Sequence, residues 1–182
     1  QHPHVELELR LDDHAVDLVR EGVDLALRGQ ARLDDSSLVA VPLMTLERVV
    51  CAAPAFWQVH GMPTHPRELD GAHCLPYLLG QDALRWTFEG DDGRHTVDVK
   101  GRFRANNSLL LIDAMRRGVG VGLVPRAMVL SALRDGSLVP VLTGFRVDPR
   151  QLFAVYPSRE HLPARVRALV AFLKDRLPRA GG

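Results

Sequence analysis

The chain has 182 residues, 46% hydrophobic and 25% charged, with a formal net charge of +1. That length suits one ordinary domain or two small lobes, and it buries roughly 70% of its unfolded surface without disulfide or metal staples. The near-neutral balance gives no basic field for nucleic acid, and no apolar run approaches the ~20 residues a membrane span needs.

Residues 5–11, VELELRL, alternate strictly between apolar and charged and predict a half-buried strand near a sheet edge. Asp12 and Asp13 suit a helix start, Ala15, Leu18 and Val19 form a stripe, and Gly22 suits the stop. Residues 23–27, VDLAL, form the next strand, so 5–28 read as a β-α-β unit with parallel strands. Sheets of this kind carry their sites at strand C-termini, here near Asp12–Asp13 and Arg28–Gly29.

A long extended stretch follows, broken by Pro42 and ended by Pro54, which opens a short helix to His60. Residues 61–72 are loop-rich. WTFE at 86–89 and HTVDV at 95–99 flank the turn Gly-Asp-Asp-Gly and form a hairpin. Residues 101–105 form another strand.

Ser108, Leu111, Ile112, Met115 and Val119 then share one helical face, with Leu109, Leu110 and Ala114 widening it. Asn106, Asn107 or Ser108 is its N-cap, and Gly118 its stop. Residues 119–124, VGVGLV, alternate, so Gly120 and Gly122 line one face of a short strand, where a helix or a ligand approaches the bare backbone. These glycines follow a helix and do not make a dinucleotide-binding fingerprint. Pro125 opens a helix over 126–133, and with 101–105 the passage is a second β-α-β unit. Strands at 138–142 and 152–156 and a helix from Pro163 complete the chain.

The helix start at 106–108 has two readings. Exposed N–H groups with a partial positive charge favour a carboxylate or other anion there. The polar caps equally serve their own helix.

No catalytic set emerges. There is no GxSxG elbow, and Ser36-Ser37 has no base near it in sequence. The histidines lack HExxH or zinc-ribbon spacing, so no metal is expected. Asp34-Asp35 and Asp91-Asp92 read as solvated turn residues. Cys51 and Cys74 have apolar neighbours and no CxxC partner, which predicts buried thiols.

Together, DLVREGVDLALR (17–28), RVVCAAPAFWQVHGMPTHPRELDGAHCL (48–75), GRFRANNSLLLIDAMRRGVGVGLVPRAMV (101–129), GSLVPVL (136–142) and LFAVYPSREHLPARVRALVAFLKDRL (152–177) resemble the effector-binding domain of LysR-type transcriptional regulators. The resemblance runs through nearly the whole chain in unbroken order. It implies an α/β fold of the two-lobed, periplasmic-binding-protein-like (type 2) kind. Each lobe is then a mostly parallel sheet flanked by helices, and two extended crossovers join them. Lobe I would be 1–46 with about 147–182, and lobe II 47–146.

The resemblance further implies a small effector between the lobes, and Arg28 with the helix start suggests that it is an anion. With no catalytic set, no enzymatic activity or cofactor is expected, and with no signal peptide or membrane span the cytoplasm is the default location. The parent protein would bind DNA through a winged helix-turn-helix outside this chain and form dimers and tetramers. Gln1 is not an initiator methionine, and the chain is taken as part of a longer one, without the family's DNA-binding region and the first strand and helix of lobe I. Carried over by position, the effector residues would be Asp13, Arg28, Gly29, Asn106, Asn107, Ser108, Gly122, Leu123, Val124 and Pro125. Head-to-tail dimers would set 5–22 of one subunit against about 107–117 of the other. The alternatives are a solute-binding protein of a transport system or an α/β enzyme.

Overall fold

The computed structural model describes residues 5–11, 17–30, 38–78, 83–157 and 162–180. In chain order its elements are β1 (Ala26–Gln30), β2 (Leu38–Leu46), β3 (Arg48–Ala52), α1 (Pro54–His60), β4 (Arg85–Gly90), β5 (Gly93–Asp98), α2 (Ser108–Arg116), β6 (Gly122–Pro125), α3 (Arg126–Arg134), β7 (Val139–Val141), β8 (Arg150–Pro157) and α4 (Ala164–Ala180). Two short 3-10 turns, Pro66–Glu68 and Gly71–His73, lie between α1 and β4. The chain divides into two compact units, Gln1–Thr45 with Gln151–Gly182, and Leu46–Arg150.

In the first unit the sheet order is β1-β8-β2, and β1 runs antiparallel to β8 with Ala26 opposite Val155 and Gln30 opposite Gln151. Leu18, Ala154, Val155 and Val166 are buried in it. Pro42 does not break β2, because β2 is an edge strand and Pro42 is exposed there. Arg165 at the start of α4 donates to both carboxylate oxygens of Asp24.

The expected first β-α-β unit is not what forms. Residues 5–11 are not a strand, and Leu9 and Leu11 are 83% and 93% exposed. The strand expected at 23–27 sits at 26–30, and its partner β8 is antiparallel. Alternation tells which side chains share a face, but a strand also needs a neighbour to take its N–H and C=O groups, and no local pattern names that neighbour. The helix expected from Asp12 falls partly on 12–16, outside the described residues. Residues 18–22 form turns, with Gly22 at φ +64.

The second unit is built on β3. Its sheet order is β6-β3-β7, and β3 is antiparallel to both neighbours. Parallel bridges Cys74–Val121 and Tyr77–Ala105 extend the sheet, so β3 alone runs against the rest. The strand expected at 101–105 contributes only the bridge at Ala105.

Burial on both faces follows from the period of two along a strand. Val50, Ala52, Leu123 and Val141 face a cluster with Phe56, Trp57, Trp86, Phe88 and Val97. Val49, Cys51 and Val124 face the other way, against Leu111, Ile112, Met115, Val129 and Ala132. So α2 and α3 cover one face, while α1 and the β4–β5 hairpin cover the other. The indole of Trp57 donates to the Val139 carbonyl at 3.1 Å, which leaves that buried donor satisfied.

The hairpin forms as the alternation predicts, with Trp86 opposite Val97 and Phe88 opposite His95. Gly90 admits the ring of Phe145, because a Cβ there would stand 2.6 Å from it. Below the hairpin, Pro66–Glu68 is held by a reciprocal cap. The His65 ring accepts from the Arg67 amide, and Glu68 accepts from the amides of Thr64 and His65.

The Thr64 amide, followed by the other donors, holds the Glu68 carboxyl below its ordinary value of 4.5. Its stabilisation is therefore present above the ordinary carboxylate range and is lost as pH falls through the depressed value. Glu68→Ala is expected to lower the urea midpoint at pH 7. Its curve and that of the unmodified chain should converge in acid, and a difference that persists unchanged to pH 2 would count against this cap.

Candidate functional site

The site expectation centres on the start of α2. Asn107 is extended, at φ −108 and ψ 119, and its side-chain oxygen accepts from the Leu110 amide at 3.0 Å. Asn107, of the three candidates, is thus the N-cap. Asn106 and Ser108 flank it, all three half-buried. The far end closes with a left-handed residue, Gly118 at φ +74. Gly118 donates to Met115 and Val119 to Ala114, both at 3.0 Å, which satisfies the last carbonyls. Both ends of α2 are therefore specified locally, and its position is set by packing.

That packing explains the glycines. A Cβ on Gly122 would lie 2.2 Å from the sulfur of Met115, which is fully buried. One on Gly120 would meet the His73 carbonyl at 2.4 Å. Of the two readings of the glycine face, a helix rather than a ligand occupies Gly122. Gly122, Leu123 and Val124 are buried and pair with Cys51, Val50 and Val49, whereas Pro125 is half-buried where α3 begins. Topology nonetheless puts Pro125 at the site's edge of the sheet. Because α2 runs back along the strands, its first residues and the C-terminal end of β6 lie at the same sheet edge.

Arg28 and Gly29 lie in β1 of the other unit, opposite Phe153 and Leu152, with Arg28 half-buried and Gly29 exposed. Asp13 falls outside the described residues. Within the second unit the structure thus gathers Asn106, Asn107, Ser108 and Pro125 at one edge and puts the side chains of Leu123 and Val124 in the core.

What this arrangement can do is bind. Its polar groups are backbone amides, asparagine amides and a hydroxyl. The thiols supply no nucleophile, since burial pushes both Cys51 and Cys74 up to about 12. Sequence spacing missed one group of side chains. His65, Asp92 and His95 come together where the hairpin turn meets the Pro66–Glu68 cap. Asp92 and His95 are close in sequence, but His65 is brought to them only by the docking of the hairpin. Hydrogen bonds from His95 first, then His65, hold the exposed Asp92 carboxyl down to about 2.

The family model described as the LysR substrate binding domain matches residues 1–178. Among curated relatives, the probable transcriptional regulator LtrA of Klebsiella pneumoniae is 32% identical over 98% of this chain and 58% of its own length. The regulator PtxR of Pseudomonas aeruginosa is 35% identical over 98% of this chain and 57% of its own. This chain thus spans under two thirds of those relatives. Among solved structures, the regulatory domain of CrgA, a LysR-type transcriptional regulator from Neisseria meningitidis, superposes with a TM-score of 0.85 at 28% identity, covering 97% of this chain and 86% of that one. Full-length AphB of Vibrio cholerae gives 0.77 at 30% identity, covering 96% and 59%. These relatives are transcription regulators, which sets aside the transport and enzyme readings. Among the described residues, no helix is long and apolar enough to cross a membrane.

The packing role of Gly122 predicts a stability effect. Gly122→Ala should push Met115 off its seat and cost about 1–3 kcal/mol. Urea unfolding checks this, and an unchanged midpoint would contradict so close an approach.

Proposed function

This chain belongs to the LysR substrate-binding domain family, and from that premise we propose that it senses a small anion for a cytoplasmic transcription regulator whose DNA-binding part lies outside these residues. The observation that supports the ligand class is the start of α2, where Asn106, Asn107 and Ser108 set polar side chains and the partly positive end of the helix at one edge of the sheet. Pro125 adjoins that edge; Gly122, Leu123 and Val124 would contribute through backbone and packing. Asp13, Arg28 and Gly29 belong to the same proposal, with Arg28 supplying positive charge. An effector that prefers one arrangement of the protein shifts its population by that difference in affinity, and the parent oligomer's hold on DNA shifts with it.

Two substitutions at Asn107 separate binding from capping. Asn107→Asp keeps an oxygen for the Leu110 amide and adds negative charge; Asn107→Ala removes the cap, at about 1 kcal/mol. Small mono- and dicarboxylic acids, screened by thermal shift, should include one that raises Tm by roughly 5–10 °C at a hundredfold excess over its Kd. Asn107→Asp should abolish that rise while leaving the ligand-free Tm nearly unchanged. A carboxylate that stabilises the Asp variant as well as the original chain would remove Asn107 from the site. For the regulator as a whole, the check is a footprint upstream of a neighbouring gene that the same acid alters.

Self-association is part of the same reading. Val5, Leu7, Leu9 and Leu11 are exposed, and Leu109 and Leu110 are exposed on α2. A second copy that sets 5–22 against the first copy's 107–117 would cover both apolar sets. Light scattering at high concentration should show a dimer that Leu9→Asp weakens at least tenfold; a monomer throughout would refute this pairing.

A further inference from the structure

We propose that His65, Asp92 and His95 form a binding site for a divalent transition metal, zinc above all, separate from the start of α2. These are the one such group of possible ligands among the described residues, with one donor atom from each lying within 4.8 Å of the others. The Nε2 of His65 stands 3.0 Å from one carboxylate oxygen of Asp92, and the Nε2 of His95 stands 2.9 Å from the other. Ligand atoms around a tetrahedral ion lie roughly 3.3 Å apart. With the oxygen that faces His95 as the ligand, that pair need open by only a few tenths of an ångström, and the more exposed His65 turns to bring its nitrogen in from within 4.8 Å.

The donor chemistry fits the ion. Two imidazole nitrogens and one carboxylate oxygen form a borderline set that suits zinc and leaves a fourth position for water. His95 is buried, so one ligand is already held. Its ring packs edge-on against His65 at 4.5 Å between centroids, and the Phe145 ring stands edge-on to both. Asp92 supplies one negative charge. Glu68, on the turn that His65 caps, adds another beside His65. Nothing in the effector reading uses these residues.

The site carries a built-in signature. In the metal-free chain His65 Nδ1 accepts from the Arg67 amide at 3.1 Å, so the neutral ring holds its proton on Nε2 and donates it to Asp92. A metal on Nε2 moves that proton to Nδ1, and the Arg67 amide loses its acceptor. Metal binding and this cap exclude each other, while the Glu68 half of the cap persists.

The test is calorimetric titration of the chain, without a polyhistidine tag, with zinc chloride at pH 7.5, together with hydrogen exchange at the Arg67 amide. One zinc per chain is expected, with faster exchange at Arg67 when zinc is bound. Asp92→Asn should weaken binding at least tenfold with an unchanged circular dichroism spectrum, and so should His95→Gln if it folds. Exposed Asp92 decides the matter if the buried substitution does not fold. His60→Gln with His73→Gln, and removal of residues 1–4, should leave affinity unchanged. Absence of saturation below millimolar zinc, or equal affinity in Asp92→Asn, overturns the proposal.

Discussion

Strand β3 is buried on both faces, and the arrangement around it follows from that condition. A strand with both faces covered cannot alternate apolar with polar, so RVVCA is apolar after its first residue. Each face then needs its own cover. One receives α2 and α3, the other α1 and the β4–β5 hairpin. The two clusters divide at alternate residues, Val49, Cys51 and Val124 against Val50, Ala52 and Leu123, as the pleat requires. The sheet cannot slip by one residue without exchanging two differently shaped cores.

The edge proposed to bind the effector depends on the same packing. Gly122 lets Met115 sit directly on the backbone of β6, which fixes α2 against the sheet near its C-terminal end. A helix held there presents its first turn at the opposite edge, where Asn107 closes it. The proposed effector site would therefore be a by-product of helix-on-sheet geometry, refined by the choice of capping residue. An asparagine cap satisfies the helix without adding a charge, which keeps the partial positive end available to an anion.

The docked hairpin shows how tertiary structure creates chemistry that spacing conceals. Trp86, Phe88 and Val97 anchor it in the core, and the anchoring carries Asp92 and His95 onto His65. Phe145 reaches the same spot because Gly90 lacks a side chain. Twenty-seven residues separate His65 from Asp92, and nothing local to either marks the other.

Several elements were legible in the residues themselves. A polar cap somewhere in 106–108 and the stop at Gly118 bracket α2, Pro54 opens α1, and the turn Gly-Asp-Asp-Gly closes the hairpin. Each rests on hydrogen bonds or dihedral limits spanning a few neighbours. The ordered run of apolar and capping segments was enough to identify the family. Tertiary structure alone decided which strand pairs with which. It made β1 antiparallel to β8, left VELELRL outside any strand, gave the face of Gly122 to Met115 and assembled the histidine pair around Asp92. Those outcomes depend on groups distant in the chain, whose meeting is set by the shape of the whole core rather than by any local preference.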